Sequence, residues 1–295
     1  MEQDTNDTTT LGILGGSGFY EIEGFSQLEE ITLATPFGKP SGPFILGELN
    51  GVKTAFLPRH GRGHLYLPSE INYRANIFGF KTLGVSHLIS VTAVGSLQEN
   101  IAPLDMVVPD QLVDRTCQRP STFFGEGIAA HVSFAQPFCP DLSEILYDTA
   151  ASRGVQAHQT GTLVTIEGPM FSTKAESYLY RQWGCDIIGM TTLQEARLAR
   201  EAEICFAALA MVTDYDCWKD NSEHEVTVET VVAHMAKNLA GAKEILKESV
   251  TKIRQTRCCD CRDSLAGAIM TSPEAISEQT REKLSPLIAH RIPTA

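Results

Sequence analysis

Long apolar runs are missing from this 295-residue sequence. None reaches the roughly 18 residues that a bilayer-spanning helix requires, so no membrane partner is expected. The first ten residues are polar, with Asp4, Asp7 and four threonines, and lack the basic-then-apolar pattern of a secretory signal. Basic residues are scarce: Lys and Arg total 24 against 36 Asp and Glu, a net charge of −12. Such a surface repels phosphate backbones, which excludes nucleic acid as a partner. Any anionic ligand must then be held by a local cluster of donors. Charged residues make up only 20% of the chain and apolar ones 43%, a balance that excludes extensive disorder. Eight cysteines in a long chain without a signal do not form a disulfide framework, and the expected location is the cytoplasm.

Short apolar runs alternate with amphipathic stretches, which predicts an α/β fold with at least partly parallel strands. Strands are predicted at Leu11–Leu14, Phe44–Leu49, Val52–Leu57, Val85–Val94, Met106–Val113, Thr162–Ile166 and Ile204–Val212. Helices are predicted at Ser69–Leu83, Leu142–Ser152, Thr173–Gln182, Leu193–Glu201 and Val228–Ile253. The last carries an apolar stripe through Met235, Leu239, Ala242, Ile245 and Leu246. Residues 115–140 form a long Pro- and Gly-bearing connection, the kind that is often functional. The expected organisation is one domain over 1–255 and a cysteine-bearing tail over 256–295, with a helix from Pro273 to Leu284.

Several strand ends carry chemistry. Leu11–Leu14 runs into Gly15-Gly16-Ser17-Gly18, which can close on a phosphate or form a plain tight turn. The dinucleotide fingerprint would need a glycine where Glu21 stands. Arg59, His60, Arg62 and His64 crowd a glycine-rich loop able to grip an oxyanion or simply be solvated. His60 and His64 are separated by glycines with no acid nearby, so no metal is expected there. Thr92 and Ala93 close a very apolar strand, and Thr165–Ser172 brings Glu167 and Phe171 to another strand end. Asp214 and Asp216 follow the apolar run Ala210–Val212. At i and i+2 on an extended chain they face one side, where partial desolvation would let one carboxyl keep a proton as a general acid. The bland alternative is an exposed Asx-type turn.

In order, Gly15–Gly18, Thr35–Pro40, Arg59–Arg62, Pro68–Asn76, Thr165–Pro169, Gly189–Thr192 and Thr213–Trp218 resemble the 5′-methylthioadenosine phosphorylases of the trimeric purine nucleoside phosphorylase family. The resemblance spans residues 11–218, and the helix at 228–253 fits it. It implies a mixed, barrel-like sheet flanked by helices, and a homotrimer with sites near subunit contacts; it leaves open whether trimers pair into hexamers. By resemblance, Ser17, Arg59, His60, Thr92, Ala93 and Thr191 hold phosphate. Met190 packs against the ribose, while Phe171, Ser172, Asp214 and Asp216 line the purine. His131 is sent to a neighbouring subunit's 5′ pocket, and Val228 lines that pocket.

The implied reaction is phosphorolysis of methylthioadenosine, with phosphate as co-substrate and no cofactor. Phosphate attacks the anomeric carbon through an oxocarbenium-like state while Asp214 protonates purine N7 and Asp216 accepts from the exocyclic amine. A carboxylate suits a 6-amino purine; the alternatives are a phosphorylase for 6-oxopurine nucleosides and an inactive nucleoside-binding relative. Cys258, Cys259 and Cys261 cluster in the tail, one ligand short of a tetrahedral zinc site unless a histidine or another chain helps, so no metal is expected there either; incidental exposed thiols, a Cys259–Cys261 disulfide and a cross-subunit disulfide all stay open.

Overall fold

The computed structural model describes residues 10–16, 24–219, 228–253 and 259–292. Ser17 and Cys258 lie outside them, as does the side chain of Val228. In chain order the elements are β1 (Thr10–Gly15), β2 (Phe25–Ile31), β3 (Phe44–Leu49), β4 (Val52–Pro58), α1 (Tyr73–Thr82), β5 (Val85–Ser96), β6 (Met106–Val107), β7 (Gln111–Arg115) and α2 (Pro140–Ser152). They continue as β8 (Ala157–His158), β9 (Thr162–Ile166), α3 (Lys174–Gln182), β10 (Ile187–Gly189), α4 (Thr192–Glu201), β11 (Cys205–Asp214), α5 (Val228–Ile253), α6 (Glu278–Lys283) and α7 (Ser285–Ile288). Among the described residues no helix is long and apolar enough to cross a membrane.

The expected α/β architecture, a mixed sheet flanked by helices, is present. One path runs β2-β3-β4-β1-β5-β10-β9-β7, and a second leaves β5 through β11 to β6 and β8. Thus β5 is parallel to β1 and β11 and antiparallel to β10. Both paths branch from β5, and among the described residues no pairing joins β7 to β8 into a closed ring.

Strands covered on both faces need apolar residues at every position, and the core shows why. Phe206 and Ala208 of β11 enter one apolar cluster with Phe80 of α1 and Leu198 of α4. Their neighbours Ala207, Leu209 and Met211 enter the other, with Leu142 and Leu146 of α2 and Ala242, Ile245 and Leu246 of α5. The uninterrupted run is therefore two interleaved period-2 faces.

Differences from expectation have local causes. Helix α1 starts at Tyr73, four residues late, because Asn72 caps the Ala75 amide at 3.1 Å while Ser69 bonds Glu167 instead. The Met106–Val113 run splits at Pro109, which has no N–H for a ladder. Strand β2 escaped notice because its five central residues are exposed and polar or isolated apolar.

Residues 259–292, read from sequence as an appendage, bury Leu265, Leu284, Leu287 and Ile288 in the cluster that holds Ile77 and Phe80. The backbone of this segment also bonds the long connection: His131 N–H donates to Ala268 O at 2.9 Å and Met270 N–H to Ala129 O at 2.9 Å. Glu203 anchors it further, accepting from the Leu265 amide at 3.0 Å and from Arg291 Nε at 3.0 Å. The expected Pro273–Leu284 helix is a 3-10 turn at Pro273–Ala275 followed by α6.

Leu287 has no exposed surface. Leu287→Ala should therefore cost about 2–5 kcal/mol, measured as a fall in the chemical denaturation midpoint. A shift of a few tenths would mean that the segment packs only loosely.

Candidate active site

The carboxyl ends of β1, β4, β5, β10 and β11 converge on a cavity of about 530 Å³, where open α/β sheets place their ligands. Ten of the residues singled out from sequence line it: Arg59, His60, Thr92, Ala93, Phe171, Ser172, Met190, Thr191, Asp214 and Asp216. His131 does not; it is exposed, on the loop that the terminal segment pins. Helix α5 adds Met235 and Leu239 to the wall, and the β4 loop adds His64.

At one end stands Arg59, buried and ion-paired to fully buried Glu195 of α4. Its Nη2 donates to Ser90 Oγ at 2.7 Å, Leu14 O at 3.2 Å and Glu195 Oε2 at 3.2 Å, and its Nη1 to Val91 O at 3.0 Å. One Nη1 proton is left without an acceptor among the described residues. An oxyanion here meets a guanidinium whose charge is already balanced, so neutral donors must do most of the holding. Thr191 supplies one: it is the N-cap of α4, yet its hydroxyl makes no bond to the helix's own amides.

Burial, reinforced by the Arg59 charge beside it, pushes His60 down to about 4. The ring is neutral at pH 7, and Nδ1 faces the Tyr66 carbonyl at 2.8 Å, so Nδ1 carries the proton. Nε2 is left as an acceptor, suited to a P–O–H group and not to a bare oxyanion. The His64 ring stacks on it with centroids 4.2 Å apart.

At the other end are the two aspartates. Burial raises both Asp214 and Asp216 above the usual carboxylate range. Thr213 Oγ lies 2.7 Å from Asp214 Oδ2 and 3.2 Å from the Val94 carbonyl, so its single proton has two acceptors to choose between. The Asp216 amide donates to Asp214 Oδ1 at 2.8 Å. The i, i+2 argument reached the right wall by the wrong geometry. Strand β11 ends at Asp214, and Asp216 opens a 3-10 turn with φ of 51°.

A register shift between Val212 and Asp214 sets Asp214 opposite Gly95 of β5. A Cβ at Gly95 would come within 2.9 Å of Asp214 Oδ1, so the carboxyl occupies the space that glycine leaves. Helix α5 fixes the same strand end: Asn238 Nδ2 donates to Val212 O at 2.8 Å, and His234 Nδ1 bonds Thr213 O. Between the two ends, Arg119 of the long connection donates to the carbonyls of Met190 and Glu167 and to Tyr73 Oη at 3.3 Å. Burial would raise Glu167, but bonds from Ser69, the Cys117 amide and Arg119 outweigh it and hold the carboxyl at about 2.

Glu195, Ser90, His234, Asn238 and Arg119 were not singled out from sequence. Glu195, His234, Asn238 and Arg119 stand in loops or amphipathic helices, where a solvated position is the ordinary reading, and Ser90 is a lone hydroxyl inside an apolar strand. The only local signal is the flanking of His234 and Asn238 by apolar Met235 and Leu239.

Residues 10–251 match the family model described as the phosphorylase superfamily. The chain belongs to that superfamily. Among its relatives, the S-methyl-5′-thioadenosine phosphorylase of Koribacter versatilis is 53% identical over 94% of this chain and 95% of its own. A superfamily member of solved structure, a methylthioadenosine phosphorylase from an Antarctic soil metagenomic library, superposes with a TM-score of 0.91 at 46% identity, covering 96% of this chain and 99% of its own. A variant of the Schistosoma mansoni adenosine/methylthioadenosine phosphorylase, in complex with methylthioadenosine, superposes with a TM-score of 0.82 at 37% identity, over 88% and 96% of the two chains.

The depressed His60 has a stability consequence for this phosphorylase-superfamily chain. Between pH 6.5 and about 4 the unfolded chain binds a proton at His60 that the folded chain refuses. Acidification through that window therefore weakens the fold. His60→Asn should flatten the fall of the denaturation midpoint between these two pH values; an unchanged slope would contradict the neutral, buried ring.

Proposed function

We propose that the protein catalyses phosphorolysis of 5′-methylthioadenosine, releasing adenine and 5-methylthioribose 1-phosphate. One juxtaposition carries the reading: two carboxyls, half-buried Asp214 and buried Asp216, share a single cavity with Arg59, His60, Thr92 and Thr191. Purine recognition needs the first set and phosphate the second. The names of the relatives point the same way.

Phosphate settles against the Thr191 hydroxyl, the amide-bearing end of β5 at Thr92 and Ala93, and the one spare Arg59 N–H. His60 Nε2 accepts from its protonated oxygen. Ser17, outside the described residues, belongs to this set by the family resemblance alone. Positioned so, phosphate needs no general base, and its charge stabilises the oxocarbenium-like sugar. No cofactor enters, because phosphate is itself the nucleophile. Met190 packs under the ribose, and Phe171 and Ser172 flank the base.

Asp214, kept protonated by burial, gives its proton to N7 as the bond to the anomeric carbon breaks. While Asp214 is protonated, the Thr213 hydroxyl donates to the Val94 carbonyl; once the proton has gone, that hydroxyl turns to Asp214 Oδ2. Asp216 accepts from the 6-amino group. A 6-oxo purine would set an acceptor against that carboxyl, which favours adenine.

The site is completed by neighbours in a cytoplasmic homotrimer. Leu65, Leu67, Met170 and Phe171 are exposed around the cavity, an apolar rim that a second subunit would cover. His131, exposed on its own chain, reaches a neighbour's 5′ pocket, where Met235 and Leu239 provide an apolar wall.

Incubation with methylthioadenosine should release adenine only when phosphate is present, and methylthioinosine and inosine should react far more slowly. Release without phosphate would make the protein a hydrolase. Asp214→Asn should lower turnover about 10²–10⁴-fold. It should also abolish the fall of the wild-type rate at high pH, where Asp214 loses its proton. A nearly unchanged rate would remove Asp214 from the role of acid.

A further inference from the structure

Four cysteines from three distant parts of the chain meet on the α2–α5 side of the sheet. Cys139 precedes α2, Cys205 opens β11, and Cys259 and Cys261 begin the terminal segment. Their Sγ atoms all lie within 4.8 Å of one another. The Cys139 amide donates to Phe206 O at 2.7 Å, which sets it beside the start of β11. Cys139, Cys205 and Cys261 are buried and Cys259 half-buried, in an apolar cluster with Leu142, Leu146 and Ile253. No member of the set lines the active-site cavity.

We propose that Cys139, Cys205, Cys259 and Cys261 form a tetrahedral, four-thiolate site for a thiophilic divalent cation of the zinc class. The sequence reading expected no metal because it counted only the cysteines of the tail; the fold supplies the missing ligands from Cys139 and Cys205. In a tetrahedral site with metal–sulfur bonds of about 2.3 Å, every pair of sulfurs stands about 3.8 Å apart. Mutual approach of all four sulfurs around one centre is what such a site requires. A pair of disulfides would instead draw two sulfur pairs to about 2 Å and have no need for the pairs to meet. The Cys205–Cys259 sulfur separation, 3.2 Å, is too long for a bond between them, and all four cysteines are free thiols.

Soft thiolates select zinc over magnesium or calcium, and four protein ligands leave no position for water. The site is therefore structural. Binding displaces four thiol protons and forms four metal–sulfur bonds, with no change of oxidation state. What the ion would tie together is specific: the start of β11, the start of α2 and the terminal segment whose backbone holds Ala129 and His131.

The test uses the full chain, purified with a thiol reductant after growth with zinc and dialysed free of loose metal. Elemental analysis should find one zinc per chain. Cys259→Ser and Cys261→Ser should each lose nearly all of it, while Cys117→Ser, an exposed thiol outside the cluster, keeps it. If the serine variants fail to fold, cobalt exchanged into the wild-type protein decides: a thiolate-to-cobalt charge-transfer band with the visible bands of a tetrahedral ion supports the site. Removal of the ion by a chelator should lower the melting temperature, and zinc alone should restore it. Protein that stays metal-free after exposure to zinc and shows no tetrahedral cobalt spectrum overturns the proposal. So does a disulfide within the set, seen as fewer than eight titratable thiols in the unfolded, unreduced chain.

Discussion

The buried pair of Arg59 and Glu195 is the tie on which the cavity depends. Through it the end of β4 is joined to α4, and the same guanidinium reaches β1 at Leu14 and β5 at Ser90 and Val91. Two ions taken out of water are costly to bury, and leaving either one alone costs about 3–5 kcal/mol. The pair thus makes the relative placement of these elements all-or-none. It also consumes nearly all of the arginine's hydrogen-bonding capacity, so the Arg59 end of the cavity is left to offer an anion hydroxyls, amides and one neutral imidazole. In a chain of net charge −12 this is a coherent solution, since a balanced arginine and a neutral histidine contribute shape and direction without needing a positive surface.

The aspartate end obeys the opposite rule. There, two carboxyls are desolvated together, and burial raises both above the usual carboxylate range. The backbone enforces this. The register shift in β11, the absence of a side chain at Gly95 and the grip of Asn238 and His234 on the strand end leave Asp214 little room to turn toward water. The two ends of the cavity are built from strands that share β5, so a displacement at either would be felt by both.

Much of this was legible from sequence wherever apolar patterning and an abrupt polar residue coincide. Arg59, His60 and Asp214 each follow an apolar run, and that contrast marks a strand delivering chemistry to its carboxyl end. The long helix α5 was bounded correctly because its stripe is regular and the buried face carries no charge. Glu195, His234 and Asn238 were illegible for a physical reason: a polar residue on an amphipathic helix has the same local signature whether water or a buried partner satisfies it. Strand β2 failed likewise, since an exposed polar strand is held by its ladder with β3 and not by burial. The meeting of Cys139 and Cys205 with the tail cysteines depends on a pairing far apart in sequence, which no spacing reveals.

The terminal segment lies over the α1–α4 side of the core and bonds the backbone of the long connection at Ala129 and His131. The order of that loop therefore depends on a segment far removed along the chain, so a protease cut within residues 259–292 would free Ala129 and His131 while leaving the ladders of the sheet intact.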